Sequence, residues 1–167
     1  HCSGAYGHAS QEMPHIFTFE GMNSKCTEQV DTELGYHAFD FGGLNLGPAF
    51  RLLEHVWKSP AGAASLSLLR PRVARQGTQV HPADLDSALQ TSHPSMLHGD
   101  RTLRLPFAVD SAVLKECHGS LWAGTEIQAG GTSIVQLAPR TRNDQMTSRV
   151  DGFNTRELRA VAKRQPW

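Results

Sequence analysis

A chain of 167 residues, 39% hydrophobic and 19% charged, is long enough to bury one core, as a single domain or part of a larger one. Its 16 basic and 16 acidic side chains cancel, which argues against a general affinity for nucleic acid or an anionic membrane surface. No apolar run reaches the length of a membrane span and no signal peptide is visible; Cys2, Cys26 and Cys117 are odd in number and scattered, so they read as reduced thiols in a cytoplasmic chain.

In chain order, residues 1–34 carry little periodicity. Met13-Pro14, Glu20-Gly21 and Met22-Asn23-Ser24-Lys25 punctuate a connector, with a short strand expected over 16–19 and a helical turn over 28–34. The start at His1-Cys2-Ser3-Gly4, without Met, reads as a segment taken from a longer chain. Residues 36–41 turn apolar and aromatic until Gly42-Gly43 break the run. Leu46-Gly47-Pro48-Ala49-Phe50 then opens a short helix reaching Leu53, with Pro48 in its first turn. Strands are expected at Val56-Trp57 and over 64–69, joined by the turn Ser59-Pro60-Ala61-Gly62. In the second strand Ala64, Leu66 and Leu68 alternate with Ser65 and Ser67. Residues 70–79 form a basic loop in which Arg70, Arg72 and Arg75 read as a solvated face.

The next stretch organises the rest: His81-Pro82-Ala83-Asp84-Leu85-Asp86-Ser87-Ala88-Leu89-Gln90. Pro82 suits the first helical position, and Leu85, Ala88 and Leu89 form an apolar stripe. Asp86 and Gln90, at i and i+4, stand one above the other on a neighbouring face. A carboxylate at the edge of an apolar stripe is either solvated or working. Asp84 reads as a solvated first-turn charge favoured by the helix dipole, and His81 as an anchor of the loop through backbone hydrogen bonds. The helix is expected to end near Thr91, because His93 precedes Pro94. A pair between His93 and Asp86, seven residues apart, is set aside for the same reason.

Beyond it, a strand over 103–109 contains Pro106, which demands an edge position or a bulge. Strands follow at 113–114, 121–127, 133–138 and 146–153, with Gly130-Gly131 as a turn. Residues 156–164 read as a basic helix or as the frayed end of a strand. The sum is α+β: antiparallel strands around one principal buried helix. Nine histidines and three cysteines raise the question of a metal, but no C-x-x-C or H-E-x-x-H spacing occurs, and Cys117-His118 are adjacent. No nucleophile elbow or phosphate-binding glycine loop is present.

Leu46-Gly47-Pro48-Ala49-Phe50, then His81-Pro82-x-x-Leu85-Asp86-x-Ala88-Leu89-Gln90, then Leu105-Pro106-Phe107 follow one another at suitable distances. Together they resemble the dehydratase domain of type I polyketide synthases, and within it the C-terminal, second half, over residues 36–155. The resemblance implies a hotdog fold, an antiparallel sheet wrapped around a central helix, as half of a double hotdog. Residues 1–34 would then be the tail of a preceding hotdog and a linker, 35–155 the C-terminal hotdog, and 156–167 a C-terminal linker. The implied reaction removes water from a 3-hydroxyacyl chain on an acyl carrier protein, giving the 2,3-enoyl thioester. In the family a histidine of the first half, within H-x-x-x-G-x-x-x-x-P, takes the α-proton. By motif position Asp86 donates a proton to the departing hydroxyl and Gln90 holds Asp86. Leu46, Pro48, Phe50, His81, Pro106 and Phe107 are implied as substrate-lining. The implied partners are the carrier protein, the N-terminal hotdog half and a dimeric parent synthase. No cofactor is implied beyond the phosphopantetheine arm that the carrier brings.

The departures are specific. No H-x-x-x-G-x-x-x-x-P occurs: Phe39 stands where Gly43 and Pro48 would place the histidine, and His37 is two residues out of register. Leu46 occupies the place where the family often has tyrosine. Alone, the chain is therefore expected to be inactive or nearly so. Two further readings stay open, a non-catalytic hotdog scaffold or dimerisation module, and a double-bond isomerase or cyclase. The arginine loop is a surface that an acidic carrier protein would meet.

Overall fold

Two capping side chains decide the N-terminal third. Thr18 accepts a hydrogen bond from the Gly21 N–H and opens α1 (Phe19–Lys25); Asp31 accepts from Glu33 and Leu34 and opens α2 (Thr32–Gly42). The computed structural model describes residues 4, 5, 7, 17–72, 77–102, 104–117, 119–140 and 147–157. The strand expected over 16–19 is replaced: Ile16 lies outside the described residues and Phe19 begins a helix. The helical turn expected over 28–34 is β1 (Glu28–Val30), with α2 starting only after Asp31. In the first place a cap overrode an apolar run too brief to carry a period; in the second β1 forms by pairing with β2, and the Asp31 cap sets the later start of the helix. The aromatic run lies on α2, which stops at Gly43, whose φ of 94° is left-handed and suits glycine.

The Pro48 turn is shorter than expected, a single 3₁₀ turn (Pro48–Phe50) before β2 (Leu53–Lys58) and β3 (Ala64–Leu69). Then come α3 (Pro82–Gln90), α4 (Pro94–His98), β4 (Arg104–Ala108), β5 (Ser111–Val113), β6 (Leu121–Ile127), β7 (Ser133–Pro139) and β8 (Ser148–Glu157). Helix α4 was not foreseen: Pro94, read as a stop, starts a new helix, as proline can in a first turn. The strands form one antiparallel sheet in the order β1-β2-β3-β6-β7-β8-β4, with β5 also beside β8. Strand β4 is at the edge, with a register shift between Pro106 and Ala108, so the proline met both of its conditions. Strand β8 continues through Arg156, where a helix had been an open alternative; Arg159, Lys163 and Arg164 lie outside the described residues.

The core has two sides. On one, Leu53, Val56, Leu69, Leu121, Ala123, Val135 and Leu137 meet Ala83 and Ala88 of α3. On the other, Leu66, Leu68 and Trp122 are covered by Phe17 and by Met22 and Cys26 at α1. Strand β3 is thus buried on both faces, and its serines face α3. Ser65 Oγ donates to the Thr91 carbonyl at 3.1 Å and Ser67 Oγ lies 3.0 Å from Thr91 Oγ1. These hydroxyls occupy polar groups at the buried C-terminal end of α3, where helix carbonyls lack internal partners. A sheet curved over one helix is the hotdog arrangement.

Candidate active site

Helix α3 begins at His81, whose Nδ1 accepts from the Ala83 N–H at 3.1 Å. Its Nε2 lies 3.0 Å from Arg72 Nη2. A guanidinium only donates and a neutral imidazole has one acceptor nitrogen, so only one of these contacts is a hydrogen bond at a time. His81 anchors the loop to the helix.

Asp86 and Gln90 meet as their spacing requires. Gln90 Nε2 is 2.7 Å from Asp86 Oδ2 and 3.0 Å from the Phe50 carbonyl oxygen. The carbonyl cannot donate, so it forces the amide nitrogen toward itself, and Gln90 therefore donates to Asp86. Gln90 is buried, and its Oε1 has no partner among the described residues. Ser87 Oγ also reaches the Phe50 carbonyl, at 3.4 Å. Burial pushes the Asp86 carboxyl above the usual carboxylate value, while the Gln90 bond pulls it down by less.

Asp84 corrects the sequence reading. It is a first-turn charge, but not a solvated one: it is 6% exposed, with Oδ1 3.8 Å from Arg72 Nε. Burial raises its pKa, and Arg72 and His81 oppose the rise. Arg72 lies against the start of α3, beside His81 and Asp84, which no local pattern announces. Arg72 points inward, its Nη1 donating to the Ala49 carbonyl at 3.1 Å. Arg70 borders a cleft, and Arg75 lies outside the described residues. Of the three, Arg72 departs from the expected solvated face and Arg70 is exposed in keeping with it.

That cleft, of about 580 Å³, is lined by Leu46 and Pro48 together with Tyr36, His37, Arg51 and Arg70. Asp86 and Gln90 are not in its wall. Tyr36 links the two places: its ring borders the cleft and its hydroxyl accepts from the Leu53 N–H at 3.1 Å. Burial pushes its phenol up to about 12, with the Asp86 charge a smaller contributor in the same direction. The aromatic run contained Tyr36, but nothing in its spacing marked it. Arg51 fixes the turn to α2, donating to the Leu46 carbonyl at 2.9 Å and to both Asp40 oxygens at 2.8 and 2.9 Å. Phe39, at the missing histidine's place, is a core residue whose ring lies 4.8 Å from that of His93.

Leu46, Pro48, Phe50, His81, Asp86 and Gln90 are thus gathered around one turn and one helix. Pro106 and Phe107 stand on edge strand β4, where Phe107 is 52% exposed beneath the Arg156 guanidinium, 3.5 Å from its ring centroid. Among the described residues, no group of three His, Cys, Asp or Glu is placed to hold a metal ion, and no helix is long and apolar enough to cross a membrane.

His93 lies beyond the end of α3, buried, with Nε2 3.2 Å from the Arg104 carbonyl. Burial holds its pKa below the ordinary imidazole value. A depressed imidazole contributes stability above its unfolded pKa of about 6.5 and loses it as pH falls toward the folded value. His93→Gln is therefore expected to flatten the fall in the urea midpoint between neutral and mildly acidic pH. Equal slopes for both proteins would refute this.

A sequence profile described as the polyketide synthase dehydratase N-terminal domain matches residues 19–165. The spectinabilin polyketide synthase system protein NorB of Streptomyces orinoci is 36% identical over 141 residues, covering 80% of this chain and 6% of NorB. Polyketide synthase PksN of Bacillus subtilis is 29% identical over 135 residues, 78% of this chain and 2% of PksN. The chain therefore spans a few per cent of the length of these curated relatives. Among solved structures, the dehydratase domain from the CurK module of curacin polyketide synthase superposes with a TM-score of 0.76 at 22% identity, over 92% of this chain and 56% of that one. The dehydratase domain of RzxB from Pseudomonas fluorescens gives 0.64 at 21% identity, over 77% and 49%. The match over most of its length shows that the chain belongs to the polyketide synthase dehydratase family.

Proposed function

We propose that this chain is the C-terminal hotdog half of a polyketide synthase dehydratase, which eliminates water from a 3-hydroxyacyl chain on an acyl carrier protein. The observation that carries the reading is the carboxyl of Asp86, half-buried and held through Oδ2 by an amide that Phe50 orients. Oδ1 has no hydrogen-bond partner among the described residues and is the oxygen assigned to act. A histidine of the other half takes the α-proton, and the electron pair forms the double bond between carbons 2 and 3. The carbon–oxygen bond at carbon 3 breaks, and Asp86 gives its proton to the departing hydroxyl, which leaves as water. The catalytic proton returns to Asp86 from the histidine. Burial favours the protonated, proton-donating form of Asp86 toward neutral pH.

In this reading residues 35–155 are the hotdog, 1–34 lead from a preceding hotdog, and 156–167 lead out of it. The second-half placement rests on the order of the three motifs. The coverage of about half of the solved CurK and RzxB domains is in keeping with half a domain and is silent on which half, and the matching profile is described as N-terminal. CurK dehydratase variants with a histidine replaced by phenylalanine or an aspartate by asparagine are described as inactive, in keeping with a histidine–aspartate pair. The phosphopantetheine arm of the carrier is the only prosthetic group required, and the parent synthase is dimeric. Leu46 and Pro48 in the cleft wall, Phe50, His81, Pro106 and Phe107 complete the proposed lining.

Phe39 and Leu46, in place of the family's histidine and tyrosine, favour a second reading, a non-catalytic scaffold. Co-expression with a hotdog half bearing H-x-x-x-G-x-x-x-x-P separates the two. The proposal expects a complex that turns a 3-hydroxyacyl carrier thioester into a product lighter by one water, while this chain alone leaves it unchanged. A stable complex with no loss of water would give the scaffold reading the field.

A further inference from the structure

The Pro48–Phe50 turn is strapped to α3 by two consecutive carbonyls. Gln90 holds that of Phe50 at 3.0 Å, and Arg72 Nη1 holds that of Ala49 at 3.1 Å. The same guanidinium turns Nη2 to His81 at 3.0 Å and Nε toward Asp84 at 3.8 Å. The pair is largely withdrawn from water, with side-chain exposures of 19% for Arg72 and 9% for Asp84. A planar guanidinium is the side chain able to address a carbonyl, a ring nitrogen and a carboxylate from one fixed fork. Nε has no hydrogen-bond partner among the described residues, so Asp84 serves it as a counter-ion, and removing either charge would leave the other buried without one.

From this geometry we infer that Arg72, backed by Asp84, is a positioning residue: it fixes the turn whose Phe50 carbonyl orients Gln90, and through Gln90 it fixes Asp86. The path runs from Arg72 Nη1 to the Ala49 carbonyl, along one peptide to the Phe50 carbonyl, to Gln90 Nε2 and to Asp86 Oδ2. If the Ala49 carbonyl is released, the turn keeps its ties through Arg51 at Leu46 and through Ser87 and Gln90 at Phe50, but the peptide before Phe50 is free to tilt and to shift the acceptor that orients the Gln90 amide. Arg72 touches neither Asp86 nor Gln90, so this influence is distinct from holding the acid directly. The role in catalysis rests on the dehydratase reading; the role in holding Asp86 does not.

The test titrates the Asp86 carboxyl by carbon-detected NMR in the full chain, for wild type, Arg72→Lys, Gln90→Leu and the double variant. Lysine keeps the charge beside Asp84 but offers one nitrogen in place of the fork, so a direct charge effect on Asp86 is controlled. Loss of the Gln90 bond raises the Asp86 pKa, since that bond lowers it. Arg72→Lys is expected to move the midpoint up as Gln90→Leu does, and to add nothing in the double variant. An unchanged midpoint in folded Arg72→Lys, or additive shifts in the double variant, overturns the inference. Should Arg72→Lys fail to fold, the wild-type chain decides: distinct, slowly exchanging Nη protons support the strap, and one averaged Nη signal refutes it. In the assembled dehydratase, Arg72→Lys is expected to lower kcat by about 10²-fold at unchanged KM, as misplaced catalytic groups do. An Asp86→Asn complex that still loses water would sink the functional reading while leaving the titration result standing.

Discussion

Asp86→Asn is expected to lower dehydration by the assembled domain about 10²–10⁴-fold, the usual worth of a positioned general acid, and at the same time to raise the melting temperature of the chain. The two effects share a cause. Burial raises the folded pKa of Asp86 above its unfolded value. Such a group stabilises the fold most when protonated, below the unfolded pKa of about 3.9, and that contribution is lost as pH rises through the folded pKa. At neutral pH the chain carries the cost of a partly buried carboxylate. Asparagine has no charge to desolvate, and its amide oxygen still accepts from Gln90 Nε2 in place of Oδ2. It cannot give up a proton to the leaving hydroxyl. Thermal melts at neutral pH should show the variant above wild type, by about 2–4 °C for each kcal/mol recovered in a chain of this size. The difference should close below about pH 4, where the native carboxyl is protonated too. Full turnover in the variant, or a lower melting point at neutral pH, would mean that Asp86 is an ordinary solvated carboxylate.

Gly152→Ala should produce the largest loss of stability. Two steps along β7, from Ser133 to Val135, face three along β8, from Phe153 back to Val150, so β8 carries an extra residue there. Gly152 takes it up with a φ of 64°. Before this point β8 pairs with β5 and after it with β4, while its pairing with β7 spans the bulge and reaches Phe153. The bulge is the bend that lets one strand serve two directions of a curved sheet. A Cβ here would lie 2.0 Å from Asp110 Oδ2 and 2.8 Å from Asp110 Cβ. The Asp110 N–H is bonded to the Asp151 carbonyl at 2.9 Å, which fixes its backbone: the exposed carboxylate can rotate away, but the Asp110 Cβ cannot. Left-handed strain of roughly 1–2 kcal/mol and the collision together should cost about 2–4 kcal/mol, within the range of strained or overpacked substitutions. Urea unfolding of the variant, alone and in an Asp110→Gly background, checks both parts. Removing the Asp110 side chain should return most of the collision cost and none of the backbone strain. A variant as stable as wild type would show that the bend does not need glycine.

Strands β3, β6 and β7 and helix α3 were legible because each is long enough to show a period and is bounded by glycine or proline. Pro82 at the start of α3 and Pro106 on the edge strand each carry a single-residue constraint that holds in any tertiary setting. The start of the chain was not legible. The caps at Thr18 and Asp31 act through individual hydrogen bonds, and the three-residue β1 gains its identity only by pairing with β2. The alternation along β3 separated its serines from its apolar residues without saying what covers either side. Here α1 covers the apolar side and α3 takes the polar one.

By itself, the sequence determined that Asp86 and Gln90 would meet, since residues four apart on a helix share a face wherever the helix is placed. Tertiary structure alone decided how they meet and at what energy. The Phe50 carbonyl, forty positions before Gln90, chooses which end of the amide faces Asp86. The loop carrying Arg72 turns Asp84 from a surface charge into a buried one. Helical spacing is a property of neighbours along the chain; desolvation and amide orientation depend on what folds over them, and distant residues supply it.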